Sequence, residues 1–317
     1  PAPAGLHDAH GRVLAEDPSR HGVLVGFYPG VNDGECVVAP RKTLPQSDLL
    51  EAVRENRVTE VVVALRERRG GNVSLRALLD CRLAGVKVTD LSSFFERTSG
   101  QIRVDSLRAS WLIYGDGFRQ GFLRTAVKRC FDVVCSLVLL ILALPVMLVT
   151  ALLVLLEDGA PVFYKQSRVG HGGRAFEVIK FRSMRRDAEK DGKPRWASAN
   201  DDRVTRVGRV IRKLRIDELP QLFNVLVGDM SLVGPRPERP YFVDQLVRDI
   251  PFYSVRHCVK PGVTGWAQVR YQYGSTVDDS IEKLQYDLYY VKNHTLVLDV
   301  AILFETVRVV LTGEGAQ

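Results

Sequence analysis

At 317 residues and a formal charge of +7, the chain is long enough for two domains and suits an anionic partner: nucleotide, lipid phosphate, membrane surface or nucleic acid. Its five cysteines form no Cys-x-x-Cys pair, which argues against a zinc site or a disulfide framework and for free thiols in a reducing cytosol. The six histidines are scattered at no ligand spacing and are assigned no role. The chain begins at Pro1 rather than Met and shows no signal peptide, so it reads as a truncated or trimmed product with upstream segments missing.

After an irregular lead-in of about 20 residues, short β-branched runs alternate with helical patterns. Gly22 to Phe27, Glu60 to Leu65 and Val86 to Val88 read as buried parallel strands, and Gln46 to Asn56 and Ser74 to Ala84 as helices. The chain then leaves through Ile102 to Phe122. Such alternation predicts a small α/β layer over residues 1–120, Rossmann-like in rhythm. A dinucleotide site needs Gly-x-Gly-x-x-Gly after the first strand, and Gly26-Phe27-Tyr28-Pro29-Gly30 lacks it. Gly70-Gly71-Asn72 reads as a turn. The module is expected to bind no dinucleotide.

A second domain is expected over 124–317, with a membrane helix over 129–157. Val133 to Leu156 is 24 residues without a charge, long enough at 1.5 Å per residue to cross a bilayer of about 30 Å. Pro145 divides it into two apolar halves of about 17 Å each. Cations crowd both flanks: Arg119, Arg124, Lys128 and Arg129 before it, Lys165, Arg168, Arg174, Lys180 and Arg182 after it. The positive-inside rule places both ends on the cytoplasmic side, so a broken helix that enters and returns is favoured over a straight span. A buried soluble helix is disfavoured, because few are apolar on every side for so long.

Asp201 and Asp202 are predicted to cap the next helix. There Val204, Val207, Val210, Ile211 and Leu214 fall in one wedge, and Arg206, Arg209, Arg212, Lys213 and Arg215 on the other side. This pattern suits a basic amphipathic helix on anionic lipid, or a solvated basic face over a core. Asp217 and Glu218 follow six cations between Arg203 and Arg215, just before Pro220 bends the chain. Nearby positive charge is expected to keep both acids ionised, which fits a nucleophile or a Mg²⁺ ligand acting on phosphate better than a general base. An isolated Asp-Glu is ordinarily a solvated surface feature, and Pro235-Arg236-Pro237 alone a rigid loop; both gain meaning only from their surroundings.

Residues 124–317 carry several phrases in fixed order. They are Lys128-Arg129-Cys130-Phe131-Asp132, Tyr164-Lys165-Gln166-Ser167-Arg168-Val169-Gly170, Lys180-Phe181-Arg182-Ser183-Met184 and Asp217-Glu218-Leu219-Pro220-Gln221-Leu222. Gly234-Pro235-Arg236-Pro237, Lys260-Pro261-Gly262-Val263-Thr264-Gly265-Trp266-Ala267-Gln268 and Tyr286-Asp287-Leu288-Tyr289-Tyr290 complete the set. The set resembles the bacterial sugar transferase family, the monotopic phosphoglycosyl transferases that load a sugar-1-phosphate onto undecaprenyl phosphate. The N-terminal part is similar to the module of the larger, exopolysaccharide-initiating members.

The resemblance implies a mainly α (α+β) monotopic catalytic domain with a re-entrant broken helix, on the cytoplasmic face of the bacterial inner membrane. It implies that Asp217 attacks the sugar-bearing phosphate of a UDP-sugar, releasing UMP, and that undecaprenyl phosphate then takes the sugar-phosphate from the aspartyl intermediate. Glu218, with Asp217, would hold Mg²⁺ on the diphosphate; Arg236, Arg212, Lys180 and Arg182 are the candidates for gripping phosphate. Gln268 and Asp287 are candidates for lining the nucleotide site, or equally for structural hydrogen bonds. Tyr286, Tyr289, Tyr290 and Trp266 suit an interfacial aromatic belt or ordinary core. The N-terminal module reads as a scaffold or self-association surface, with a homodimer as the expected assembly. A non-enzymatic adaptor binding anionic membrane lipid is the alternative. Nucleic-acid binding is disfavoured by the apolar segment and the lack of a reading motif.

Overall fold

The computed structural model describes residues 23–28, 44, 48–64, 75–104, 107, 117, 121–186, 188, 203–271 and 276–312. The chain divides into two compact units, Pro1–Ser106 and Leu107–Gln317.

In the first unit, helix α1 (Leu49–Glu55) starts where Asp48 accepts a hydrogen bond from the Leu50 amide. Strand β1 (Glu60–Val63) follows, then α2 (Leu75–Leu83) and β2 (Lys87–Asp90). β1 and β2 pair in parallel from Glu60 opposite Lys87 to Val63 opposite Asp90, with α2 in the crossover. Asp90 caps α3 (Leu91–Ser99), which ends at the left-handed Gly100. Leu49, Val53 and Cys81 form the small core, with Val61 and Val88 against it. The alternating pattern thus locates one crossover unit, with α1, β1 and α2 described over shorter ranges than predicted and β2 shifted one residue later at its start and two at its end. Among the described residues the expected Rossmann-like layer is represented by this one unit. Residues 23–28 form no strand, only an isolated bridge at Phe27, so the strand expected over Gly22 to Phe27 is a correction. Extended backbone needs a neighbouring ladder to become a strand, and apolar composition alone does not supply one. Gly70-Gly71-Asn72 lies outside the described residues.

The second unit is built on α4 (Phe122–Asp158), 37 residues with Pro145 inside. By length and composition α4 can cross a membrane, and little of its apolar window is buried by protein. Asp132, Ser136, Met147, Thr150 and Val154 are its buried residues, a helical stripe that continues on both sides of Pro145. Leu137, Ile141, Leu142, Leu148, Leu152 and Leu156 stay exposed on the rest of the girth. Helix assignment is continuous through Pro145, so the expected break is not a break in secondary structure; Pro145 removes only one amide from the ladder.

β3 (Phe163–Val169) and β4 (Ala175–Phe181) form an antiparallel hairpin. α5 (Arg206–Lys213) is capped by the Thr205 hydroxyl on the Gly208 amide, a correction to the cap expected at Asp201 and Asp202, which lie outside the described residues. Glu157, near the end of α4, accepts from the Arg206 and Val207 amides and satisfies that helix start further. The apolar wedge of α5 divides. Ile211 and Val207 pack on Met147 and Val154, whereas Val210 and Leu214 remain exposed.

A 3₁₀ turn (Ile216–Glu218) leads into α6 (Gln221–Val227), then β5 (Ser231–Val233), α7 (Pro240–Asp249), a 3₁₀ turn (Tyr253–Cys258) and β6 (Gly262–Thr264). α8 (Trp266–Arg270), α9 (Val277–Asn293) and α10 (Leu296–Thr312) complete the unit. β5 and β6 pair in parallel, and Leu222, Val225, Met230, Val233, Trp266, Tyr290 and Ile302 form the core around them. Trp266 stacks on Tyr289 at 6.0 Å and Tyr290 is fully buried, so these aromatics take the core option rather than an interfacial belt.

Candidate active site

Asp217 and Glu218 sit in the 3₁₀ turn between α5 and α6, entered through Arg215 at φ 57°. That left-handed residue reverses the chain after α5 and turns both acids inward, leaving them 8% and 7% exposed. Ile216 and Leu219, which bracket the pair, pack with Met147, Val154 and Phe181, so the turn is seated on α4 and β4. Asn224, one α6 turn later, donates to the Glu177 carbonyl and accepts from the Ile179 amide, locking α6 to the β4 edge.

The two acids have opposite surroundings. Lys180, from β4, meets Glu218 Oε1 at 2.8 Å, and Arg236 Nη2 meets the same oxygen at 2.7 Å. Arg236 Nη1 lies 3.4 Å from Oε2, and Arg215 approaches Oε1 at 4.0 Å. Burial alone would raise the Glu218 carboxyl, but Arg236 and Lys180 outweigh it and hold it well below the usual carboxylate range. Asp217 makes no ion pair among the described residues, and its Oδ1 is buried without a hydrogen-bond partner. Burial, and the Glu218 carboxylate beside it, push the Asp217 carboxyl up; Lys180, Arg215 and Arg236 oppose this without cancelling it. The expectation that neighbouring cations lower both carboxyls therefore suits Glu218 and is corrected in direction for Asp217, because the ion pairs form with Glu218.

Arg236 projects from Pro235-Arg236-Pro237, a segment clamped from below. A Cβ on Gly234 would lie 2.4 Å from the Lys260 carbonyl oxygen, and one on Gly265 would lie 2.2 Å from that of Gly234. Only glycine allows so close an approach of two backbones. Arg168, on β3, donates to the Pro237 carbonyl at 3.1 Å and lies 3.5 Å from Glu238, tying the hairpin to the far end of the same segment.

Of the residues singled out in the sequence, Lys180, Glu218 and Arg236 are thus in contact, with Asp217 adjacent. Arg182 turns elsewhere: its hydrogen bonds and its ion pair go to the Asp158 and Gly159 carbonyls and the Asp158 carboxylate, closing the C-terminal end of α4. Arg212 is half-buried on α5 and makes no ion pair among the described residues. Gln268 Oε1 is buried without a partner. Asp287 is 2% exposed, and Arg256 holds its Oδ2 at 2.7 and 3.0 Å. Arg168, Arg215 and Arg256 were missed as site residues. Arg168 stood in a quoted phrase, whereas nothing local marks Arg256.

No group of three or more His, Cys, Asp or Glu able to hold a metal occurs among the described residues. Asp217 Oδ1 is a hard oxygen donor without a partner and fits Mg²⁺ bound through one carboxylate plus substrate phosphates. Both Glu218 oxygens already face cations.

Residues 123–313 match the family model described as bacterial sugar transferase. The chain is 46% identical over 261 residues to an Aeromonas hydrophila protein named UDP-N-acetylgalactosamine-undecaprenyl-phosphate N-acetylgalactosaminephosphotransferase, covering 82% of this chain and 61% of the relative. It is 44% identical over 208 residues to an undecaprenyl-phosphate galactose phosphotransferase of Salmonella typhimurium, covering 60% and 41%. It is 35% identical over 301 residues to a UDP-glucose:undecaprenyl-phosphate glucose-1-phosphate transferase of Xanthomonas campestris pv. campestris, covering 92% and 62%. The chain spans less than two thirds of the length of each of these relatives.

Proposed function

Since the chain belongs to the bacterial sugar transferase family, we propose that it is a phosphoglycosyl transferase moving a sugar-1-phosphate from a UDP-sugar to undecaprenyl phosphate. The observation that carries this reading is the contrast within the acid pair: Glu218 is held by Lys180 and Arg236, while Asp217 stands beside them with a partnerless oxygen.

A carboxylate whose lone pairs are not engaged is the better nucleophile, and the adjacent cations are where the phosphate oxygens would sit. Asp217 attacks the phosphorus bearing the sugar, and the P–O bond to UMP breaks, with UMP taking the bridging oxygen. An oxygen of undecaprenyl phosphate then attacks the same phosphorus and frees Asp217, leaving the sugar on a lipid diphosphate. Arg236 and Lys180 stabilise the charge that develops on the transferred phosphoryl group. Glu218 keeps these two cations aligned and apart from Asp217. Asp217 is the residue here that would hold Mg²⁺, which when bound would supply charge neutralisation for the diphosphate. Glu218, whose oxygens are engaged by Lys180 and Arg236, would have to release one of them to join Asp217 in holding the ion.

We place the site at the cytoplasmic face of the inner membrane and read α4 as re-entrant. The support is that both ends of α4 are fastened to one compact unit. Arg129 donates to the Val225 and Leu226 carbonyls, and Glu157 accepts from α5. A straight span would carry its ends to opposite sides of the bilayer, about 30 Å apart.

UMP release in detergent or nanodiscs tests the reading, with N-acetylgalactosamine, galactose and glucose donors. Lipid-dependent release by the native chain and none by Asp217→Asn is expected. A folded, membrane-bound chain releasing UMP from no donor would overturn it and favour the adaptor.

A further inference from the structure

Arg256 lies in the 3₁₀ turn Tyr253–Cys258, 5% exposed, and its whole guanidinium is engaged. Nε and Nη2 donate to Asp287 Oδ2 at 3.0 and 2.7 Å, and Nη1 donates to the Tyr253 hydroxyl at 2.9 Å. Nη2 also donates to the backbone carbonyl of Arg236 at 2.9 Å. The Tyr253 ring supports the group from one side at 5.1 Å. Each of the three nitrogens has a protein partner, so Arg256 is not arranged to touch substrate. What it reaches is the main chain of the residue whose side chain holds Glu218.

The carbonyl it grips is set between Pro235 and Pro237, whose rings fix φ and donate no hydrogen bond. A segment so short of donors depends on acceptor contacts for its position. Arg256 supplies one at Arg236, Arg168 supplies one at Pro237, and the Gly262 amide supplies one at Pro235.

We propose that Arg256, oriented by Asp287 on α9 and by Tyr253, is a positioning residue that fixes the Arg236 backbone so that its guanidinium meets Glu218 and the substrate diphosphate. This rests on the function proposed above. It also gives Asp287 a task other than lining a nucleotide pocket: it holds the arginine that holds the loop. A lysine at 256 keeps the charge opposite Asp287 but lacks the planar fork needed to reach Asp287, Tyr253 and the Arg236 carbonyl together.

The test is a double-mutant cycle on the full chain with Arg256→Lys and Arg236→Lys, reading UMP-release kcat/KM and the Kd for the UDP-sugar, with melting temperature as a fold check. If Arg256 acts through Arg236, Arg256→Lys alone loses about tenfold or more in kcat/KM, and in the Arg236→Lys background it costs about twofold or less. Losses that multiply, or a folded Arg256→Lys chain with native kinetics, would overturn the proposal. Should Arg256→Lys fail to fold, Tyr253→Phe, which removes only the hydroxyl on Nη1, enters the same cycle with a smaller expected loss. A native chain that binds the UDP-sugar without turnover would sink the transfer reading alone, and the coupling would then be read in Kd. A native chain that neither binds nor turns over would sink both.

Discussion

Lys128 and Asp299, 171 residues apart in sequence, meet at 2.9 Å between the second turn of α4 and the first turn of α10. Asp299 is fully buried and also accepts from the Tyr290 hydroxyl at 2.7 Å, which lies 2.9 Å from the Val233 carbonyl. Asp132, one turn after Lys128, accepts from the Leu232 amide at 3.3 Å. One polar cluster therefore joins the start of the long apolar helix to β5, α9 and α10. Removing one partner leaves the other charge buried. Asp299→Ala is expected to cost about 3 kcal/mol, towards the lower end for a broken buried pair because Lys128 keeps some solvent. The double change Lys128→Met with Asp299→Leu should cost less than Asp299→Ala, by denaturant melting in detergent. Equal or greater loss in the double variant would contradict this account.

Glu218→Gln leaves Lys180 and Arg236 without the anion they share. Turnover should fall on the order of 10²-fold or more, as for loss of a preorganised electrostatic group, with Asp217 still in place. Asp249→Asn, an exposed acid at the end of α7, serves as the control and should stay near native. Near-native turnover in Glu218→Gln would show that alignment of the two cations does not matter.

Gly265→Ala inserts a methyl 2.2 Å from the Gly234 carbonyl oxygen, where only backbone can yield. Overpacking of this kind costs about 1–3 kcal/mol, and here the displaced strand end carries Pro235-Arg236-Pro237. Activity should fall by more than the loss of folded protein explains, measured as kcat on the soluble folded fraction. Activity that tracks folded fraction one to one would mean that the loop tolerates the shift.

Burial, reinforced by the Arg256 charge, lowers His257 from its usual value to about 4. In the unfolded chain the imidazole takes a proton near pH 6.5, so between pH 6.5 and 4 the unfolded state binds more protons than the folded one. Stability from this group is therefore complete above pH 6.5 and falls as pH drops towards about 4, by at most about 3 kcal/mol. Urea midpoints at pH 7.0 and 4.5 should differ more in the native chain than in His257→Gln. An equal pH dependence in the two would remove His257 as the cause.

Much of the local structure was legible because its cause is local. Helical periodicity located α1, α2 and α5, and the uncharged run located α4. The ordered phrases pointed to Asp217, Glu218, Lys180 and Arg236 as neighbours, though the division of labour between the acids was not readable. That division depends on which oxygen the cations reach, a matter of ångströms set by β4 and the proline loop. Arg182 looked like a phosphate ligand and instead closes the end of α4, since cation content cannot reveal which carbonyls lie opposite. Asp299 and Arg256 left no local trace, because their partners arrive from distant segments.

The seating of the Asp217 turn on α4 has one further consequence. Ile216 and Leu219 pack in the same cluster as Met147 and Val154, so the turn that carries Asp217 is seated directly on the apolar helix. On the function proposed above, acyl chains packed on the exposed girth of α4 would thereby set the depth of Asp217 relative to the headgroups. The helix would act as a depth gauge, and bilayer thickness as a dial on the reach between carboxylate and lipid-borne phosphate.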